Sequence, residues 1–220
     1  MKKRNAQYII FILILVIATI FLSLWFIGKN EDSSSDSDKL IVTNLNVKKA
    51  DAAILKFGDG IGIIDTATSD DYEDIDACLR KNDADTIDFL LLSHYDKDHI
   101  GSAKKLIENY SIDTIYLPDY VSTKKLYEPL MDCLAEENAV FVSEKITFSF
   151  YGIDIELLPP KDSAPLIADE KNRDNDMSLL ARITYKDCSM LFLGDIENDR
   201  IEQFLDDDSF VPCNWIKIPH

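Results

Sequence analysis

Leu90 to Ser102 reads LLLSHYDKDHIGS. Three leucines and Ser93 run straight into His94, Asp96, Asp98 and His99, with Gly101 close behind. The whole chain has only three histidines, and two of them are here. An apolar run that ends in alternating His and Asp reads as a buried strand whose C-terminal end opens into a metal site. In an extended segment, residues two apart point the same way, so His94, Asp96 and Asp98 can converge. His99 breaks the alternation. The spacing therefore predicts a turn after Asp98, which lets Asp98 and His99 serve a second ion. One His or Asp after a strand is ordinarily a solvated loop residue. Four potential ligands within six residues, behind an apolar strand, point to metal.

Upstream of this loop the pattern predicts strands at Leu40 to Val47 and Ala52 to Phe57. A Gly-Asp-Gly turn at 58–60 follows, then a return strand at Ile61 to Ile64 that ends on Asp65. Asp70 to Asn82 has helical spacing, and Ile87 to Ser93 is the strand that feeds the loop. Downstream, Ser102 opens a helix to about Tyr110. Thr114 to Leu117 is strand-like, and Ser122 to Asn138 is predicted as the longest helix of the domain. Strands follow at Val140 to Val142, Ile146 to Phe150 and Ile153 to Leu158. Pro159 to Asp176 is a long polar loop, of the kind that often carries function. A second hairpin, Ser178 to Tyr185 with Ser189 to Leu193, ends on Gly194-Asp195. A helix over Glu197 to Leu205 and a strand over Trp215 to Ile218 lead to His220. Both halves thus run hairpin, acid at a strand end, helix, strand and histidine, which predicts a two-fold pseudo-repeat with the site between the halves.

At the other end, Tyr8 to Ile27 is almost wholly apolar and uncharged, the length needed to cross a bilayer as a helix. Lys2, Lys3 and Arg4 precede it and set the N-terminus on the cytoplasmic side. Residues 1–28 are therefore expected to be a single-pass membrane anchor, 29–39 a flexible serine and acid linker, and 40–220 the globular domain. The alternative is a cleaved signal peptide and a secreted domain. The net charge is −17, of which the first 28 residues contribute +3, leaving −20 on the outer part. So acidic a surface repels nucleic acid and anionic lipid at long range, although bound divalent ions can make one pocket locally positive. The four cysteines, Cys78, Cys133, Cys188 and Cys213, form no CxxC pair, which excludes a zinc knuckle or a thioredoxin-type motif.

HYDKDH, with Asp65 before it and Gly194-Asp195 after it, resembles the metallo-β-lactamase superfamily, whose usual loop is His-x-His-x-Asp-His. The His-x-Asp-x-Asp-His form looks like the extracellular hydrolase domain of ComEC-type competence proteins. LNVKKADAAILKF, SLLARITYKDCSMLFLGDIE and WIKIPH resemble other segments of that group. The resemblance implies an α+β fold, an αββα sandwich, with two divalent metal ions at one edge. By motif position, His94 and Asp96 match ligands of the first ion, and Asp98, His99 and His220 ligands of the second. Asp195 matches the bridging carboxylate, and Asp65 the strand-end acid that supports the loop from behind. Asp98 and Asp195 take the catalytic positions. The family's histidine between the loop and Gly-Asp has no counterpart, so the third ligand of the first ion is Asp176 or absent. The Gly-rich turn after the first strand is Lys48-Lys49-Ala50, with only Asp51 kept. The family continues where this chain stops, so either the chain is a fragment or the second ion is weakly held.

Two such ions acidify water and clamp the attacking and leaving oxygens. Imidazole favours zinc, and the extra carboxylate makes manganese plausible. No GxSxG nucleophile is present. The expected function is a membrane-anchored, extracytoplasmic, metal-dependent hydrolase of phosphodiesters, nucleic acid among them. The alternatives are a lactam, lactone or thioester hydrolase, and a catalytically impaired binding or DNA-uptake accessory domain.

Overall fold

In the computed structural model, which describes residues 38–168, 172–206 and 212–219, the strands pair in chain order. β1 (Ile41–Asn44), β2 (Ala53–Phe57) and β3 (Gly60–Ile64) form an antiparallel meander. β3 then lies parallel to β4 (Thr86–Leu91), β4 to β5 (Ser111–Pro118), and β5 to β6 (Ala139–Val142). The second sheet is an antiparallel run of β7 (Ile146–Phe150), β8 (Ile153–Leu158), β9 (Leu180–Tyr185) and β10 (Cys188–Phe192). β11 (Trp215–Lys217) adds to it parallel to β10. Each half of the chain is thus one sheet, antiparallel at first and parallel at its end.

Parallel neighbours need a crossover, and helices supply it. A 3-10 turn (Ser69–Asp71) and α1 (Tyr72–Lys81) join β3 to β4. The short α2 (Lys97–Ile100) and α3 (Ala103–Asn109) join β4 to β5, and α4 (Tyr127–Cys133) joins β5 to β6. α5 (Ala164–Ala168) and α6 (Arg173–Asp176) lie between β8 and β9, and α7 (Asn198–Leu205) lies between β10 and β11.

Strand alternation sorts the apolar residues into layers. Ile54, Ile61, Ile63 and Leu90 face the helices and share a core with Ile75, Leu79, Leu106 and Leu130. Ala53, Leu55, Ile64, Phe89 and Leu91 face the other sheet and pack on Phe150, Ile153, Ile155, Leu157, Ala181 and Ile183. Leu158, Leu180 and Leu191, on the outer face of the second sheet, pack on Ile196 and Phe204. The order is helices, sheet, sheet, helix. Each large side chain fully buried in these layers stabilises by about 1.5–3 kcal/mol.

Two expectations fail for local reasons. Residues 122–138 do not form one long helix: α4 begins only at Tyr127 and spans seven residues. Pro129 sits in its first turn, where its ring would clash with the carbonyl four residues earlier if the helix began at Ser122. Pro159 to Asp176 is not one open loop, because α5 and α6 lie within it. The predicted membrane span at 8–27, most of the linker, and His220 lie outside the described residues. Among the described residues, no helix is long and apolar enough to cross a membrane.

Candidate metal centre

The loop after β4 turns earlier than its alternation predicts. Asp96 is extended, with φ −74° and ψ 147°, and the helical turn of α2 begins at Lys97. His94 therefore precedes the bend and His99 sits within the helical turn, both with no exposure to solvent. Their rings lie 4.1 Å apart between centroids. Gly101 makes the fold-back possible. A Cβ there would come within 2.5 Å of the Lys97 carbonyl and 2.6 Å of the Ser69 nitrogen, so only glycine fits.

A second loop holds the first in place. β3 ends on Asp65, Thr66 and Ala67, of which Asp65 (φ 58°) and Ala67 (φ 50°) take left-handed backbone. Each such residue costs about 1–2 kcal/mol, and the surrounding hydrogen bonds offset it. The Asp65 N–H donates to the Leu91 carbonyl at 2.8 Å, the Thr66 N–H to His99 at 2.6 Å, and the Ala67 N–H to Asp51 at 2.7 Å. The Gly101 N–H donates back to the Ala67 carbonyl at 2.8 Å, and Thr66 Oγ1 donates to the His99 carbonyl at 2.9 Å.

Asp65 then orients both histidines. Its Oδ1 accepts from the Ser93 N–H at 2.7 Å, and its Oδ2 accepts from Ser93 Oγ and from His99 Nδ1, each at 2.8 Å. Ser93 has one hydroxyl proton and gives it to Asp65. Toward His94 Nδ1, 3.0 Å away, Ser93 Oγ therefore acts as acceptor. The network assigns the Nδ1 proton in both imidazoles and leaves each Nε2 as the ligating nitrogen.

The second sheet supplies the third donor. After β10 the chain turns at Gly194 (φ 55°), where a Cβ would meet Ser178 Oγ at 2.8 Å and Ser93 Cβ at 3.1 Å. The turn delivers Asp195, whose Oδ2 lies 3.3 Å from His99 Nε2. His94, His99 and Asp195 offer ligand atoms that all lie within 4.8 Å of one another. Burial alone would push the His99 imidazolium down. The Asp65 and Asp195 carboxylates outweigh it and push it up to about 10.

These residues fit a divalent ion. Two donors each about 2.0–2.1 Å from a tetrahedral zinc lie about 3.3 Å apart, which is the His99 Nε2 to Asp195 Oδ2 separation. Two imidazoles and a carboxylate, with one imidazole backed by a carboxylate through its other nitrogen, form a donor set suited to zinc.

The other expected ligands are placed differently. The Asp96 carboxylate turns outward to Lys124, with Oδ1 2.5 Å from Nζ. Asp98 is half-buried on α2 and belongs to neither convergent group found among the described residues, while its carbonyl accepts from the Asp51 N–H at 3.0 Å. Asp176, the candidate third ligand, is buried and accepts the Glu197 N–H at 2.7 Å, at the start of α7. Asp174 beside it accepts from Tyr120 at 3.1 Å and from Ser122. The acid cluster at 174–176 thus ties the 159–176 segment to its neighbours. Asp51, read from sequence only as the remnant of a turn, comes to the centre instead: its Oδ2 lies 3.9 Å from His99 Nε2 and is paired with Lys217. Ser93 was hidden inside the apolar run. Asking what holds the ring of a ligating histidine would have found it.

A cavity of about 160 Å³ adjoins the centre, between the two sheets. Asp51, Asp65, Ser93 and Lys217 form its polar side, and Leu45, Ile64, Leu179 and Phe192 part of its apolar wall. A separate cleft on the other flank of the loop brings Lys97, Lys124 and Lys125 together beside Asp96 and Asp98.

The profile of the Metallo-beta-lactamase superfamily matches residues 49–132, which include Asp51, Asp65 and the whole His94 to His99 loop. No curated protein matches. Among solved structures, a metallo-beta-lactamase-type protein from Thermotoga maritima is 17% identical with a TM-score of 0.56, over 83% of this chain and 95% of its own. MEM-A1, a subclass B3 metallo-beta-lactamase from a soil metagenome library, is 10% identical with a TM-score of 0.57, over 84% and 78%. A metallo-beta-lactamase from Staphylococcus aureus is 15% identical with a TM-score of 0.55, and there the match spans 84% of this chain but only 56% of the other. Likewise, the match spans 55% of a metallo-beta-lactamase fold protein from Bacillus subtilis. At such identities the likeness is one of fold. The described residues thus share the metallo-β-lactamase fold, residues 49–132 match the superfamily's profile, and His and Asp donors converge where the two sheets meet.

Proposed function

We propose that this chain is a metal-dependent hydrolase that acts on anionic esters, phosphodiesters first. The observation that supports it most is the buried group of His94, His99 and Asp195, with Asp65 and Ser93 fixing which nitrogen of each ring faces the ion. A divalent ion held there would supply Lewis-acid polarisation of the scissile group and lower the pKa of water. The protein's part is to hold the donors rigid. His94 and His99 are fully buried and each is held through Nδ1 by the Ser93–Asp65 pair, and Gly194 fixes where Asp195 arrives.

The lysine cleft favours phosphodiesters. Lys97, Lys124 and Lys125 outnumber the two carboxylates of that cleft, Asp96 and Asp98, so even with Lys124 paired to Asp96 it keeps a positive excess on an otherwise acidic protein and suits a substrate that carries its negative charge at the scissile group. The apolar cavity on the opposite flank favours a second reading, a lactam, lactone or thioester with an apolar substituent. The apolar stretch at 8–27 supports a further reading, that the domain is anchored outside the cell at a membrane, in the manner of ComEC-type proteins. The test compares bis-p-nitrophenyl phosphate with nitrocefin, each with zinc and with manganese. The expected result is metal-dependent phosphodiester turnover that is lost in His94→Ala. Lactam opening without phosphodiester turnover would reverse the order of the two readings.

A further inference from the structure

The carboxylates around His94, His99 and Asp195 are not equally available to metal. Asp51, Asp65 and His99 form a second group of convergent donors, where another ion would be sought. Asp65, however, is committed to Ser93 and to Nδ1 of His99. The Asp51 carboxylate already carries a cation, the ammonium of Lys217. Lys217 reaches it from β11 of the opposite sheet and lines the same cavity as Asp51, Asp65 and Ser93. Its side chain is only 22% exposed, so the pair is largely removed from the screening of bulk water. The other flank repeats the arrangement, with Lys124 on Asp96.

We propose that the Lys217 ammonium is a resident cation standing where a second metal ion would sit among Asp51, Asp65 and His99, so that of the two convergent groups only His94, His99 and Asp195 takes a divalent ion. The inference rests on the metal-binding reading above. Charge balance supports it. Asp51, Asp65 and Asp195 bring three negative charges, which one divalent ion and one ammonium neutralise. A second divalent ion would share Asp51 with the ammonium and leave two excess positive charges in a half-buried site. Like charges so placed repel strongly.

The test is metal stoichiometry, read without any substrate. The chelator-stripped protein is titrated with cobalt, followed by its visible absorption, and with zinc, followed by metal content after gel filtration. The expected result is saturation at one ion per chain in the wild type and in Lys217→Arg, and at two in Lys217→Met. The double variant Lys217→Met/Asp51→Asn should return to one. Two ions of comparable affinity in the wild type would overturn the inference, and this arm decides even if Lys217→Met does not fold. A Lys217→Met protein with the wild-type thermal midpoint that still takes one ion would overturn it too. No ion in the wild type, or one that survives His94→Ala, would overturn the metal-centre reading itself and the inference with it.

Discussion

Replacing Asp65 tests whether a residue that touches no substrate governs metal binding. The carboxylate accepts three hydrogen bonds, at 2.7, 2.8 and 2.8 Å, from the Ser93 N–H, Ser93 Oγ and His99 Nδ1. In Asp65→Ala these buried donors lose their acceptor, and a stranded buried donor costs about 1–3 kcal/mol. The costs are not additive, because Ser93 can rotate and His99 can shed its proton. A total of about 3–5 kcal/mol is expected, a large share of the roughly 5–15 kcal/mol that holds a domain folded. Metal affinity should fall by roughly 10–100-fold, as when other supporting partners of ligating histidines are lost. Asp65→Asn separates the two effects. The Ser93 N–H demands the amide oxygen at the Oδ1 position, so the amide NH2 must replace Oδ2 and face His99 Nδ1. That placement makes Nδ1 an acceptor and moves the proton to Nε2, the ligating atom. Asp65→Asn should therefore lose less stability than Asp65→Ala and at least as much metal affinity. Urea unfolding of the metal-free proteins gives the first quantity, and zinc competition against a chromophoric chelator gives the second. An Asp65→Asn protein that binds zinc as tightly as wild type would refute the proposed proton assignment.

Four further outcomes follow from the same geometry. Ser93→Ala removes the acceptor for His94 Nδ1 and should weaken zinc binding by roughly tenfold, read by the same competition, with the far-ultraviolet spectrum unchanged. Gly194→Ala must displace Ser178 or Ser93 to admit a methyl group at left-handed backbone; reduced metal content with the fold retained is expected, and unaltered content would contradict the tight fit. Because the carboxylates push His99 up to about 10, its contribution to metal-free stability should be complete below about pH 6.5 and disappear as the pH rises through about 10. Zinc uptake must displace that proton, so apparent affinity should rise about tenfold per pH unit until then, measurable as proton release in buffers of different ionisation heat. Lys124→Met should raise KM for bis-p-nitrophenyl phosphate more than it lowers kcat.

β2, β3 and β4 were legible as apolar runs bounded by turn residues, because strands covered on both faces carry few polar side chains. The same is true of the hairpin turned at Lys186-Asp187, whose Lys186 takes φ 54°. Asp65, His94 and Asp195 could be located because each ends a strand, where a polar residue interrupts an apolar run. The placement of Asp96 and Asp98 was not legible. Period-two alternation holds only while the backbone stays extended, and α2 begins at Lys97 because Gly101 lets the chain fold back against Thr68 and Ser69. Lys217 escaped because its partner, Asp51, is 166 residues away, in the loop that leads into β2 of the other sheet. Local pattern carries no information about such a pair. The segment 122–138 misled because apolar spacing persisted across a proline whose effect is felt four residues upstream.

His94 and His99 hang from the first sheet and Asp195 from the second, so an ion between them would act as a clasp across the sandwich. It would close a loop of roughly a hundred residues, and such long closures restrict the unfolded chain most. Stripping the ion should then loosen the seam between the sheets well before either sheet frays. Amide exchange would speed up first at the chain ends of β3, β4 and β10, while the helix-covered face of the first sheet stays protected.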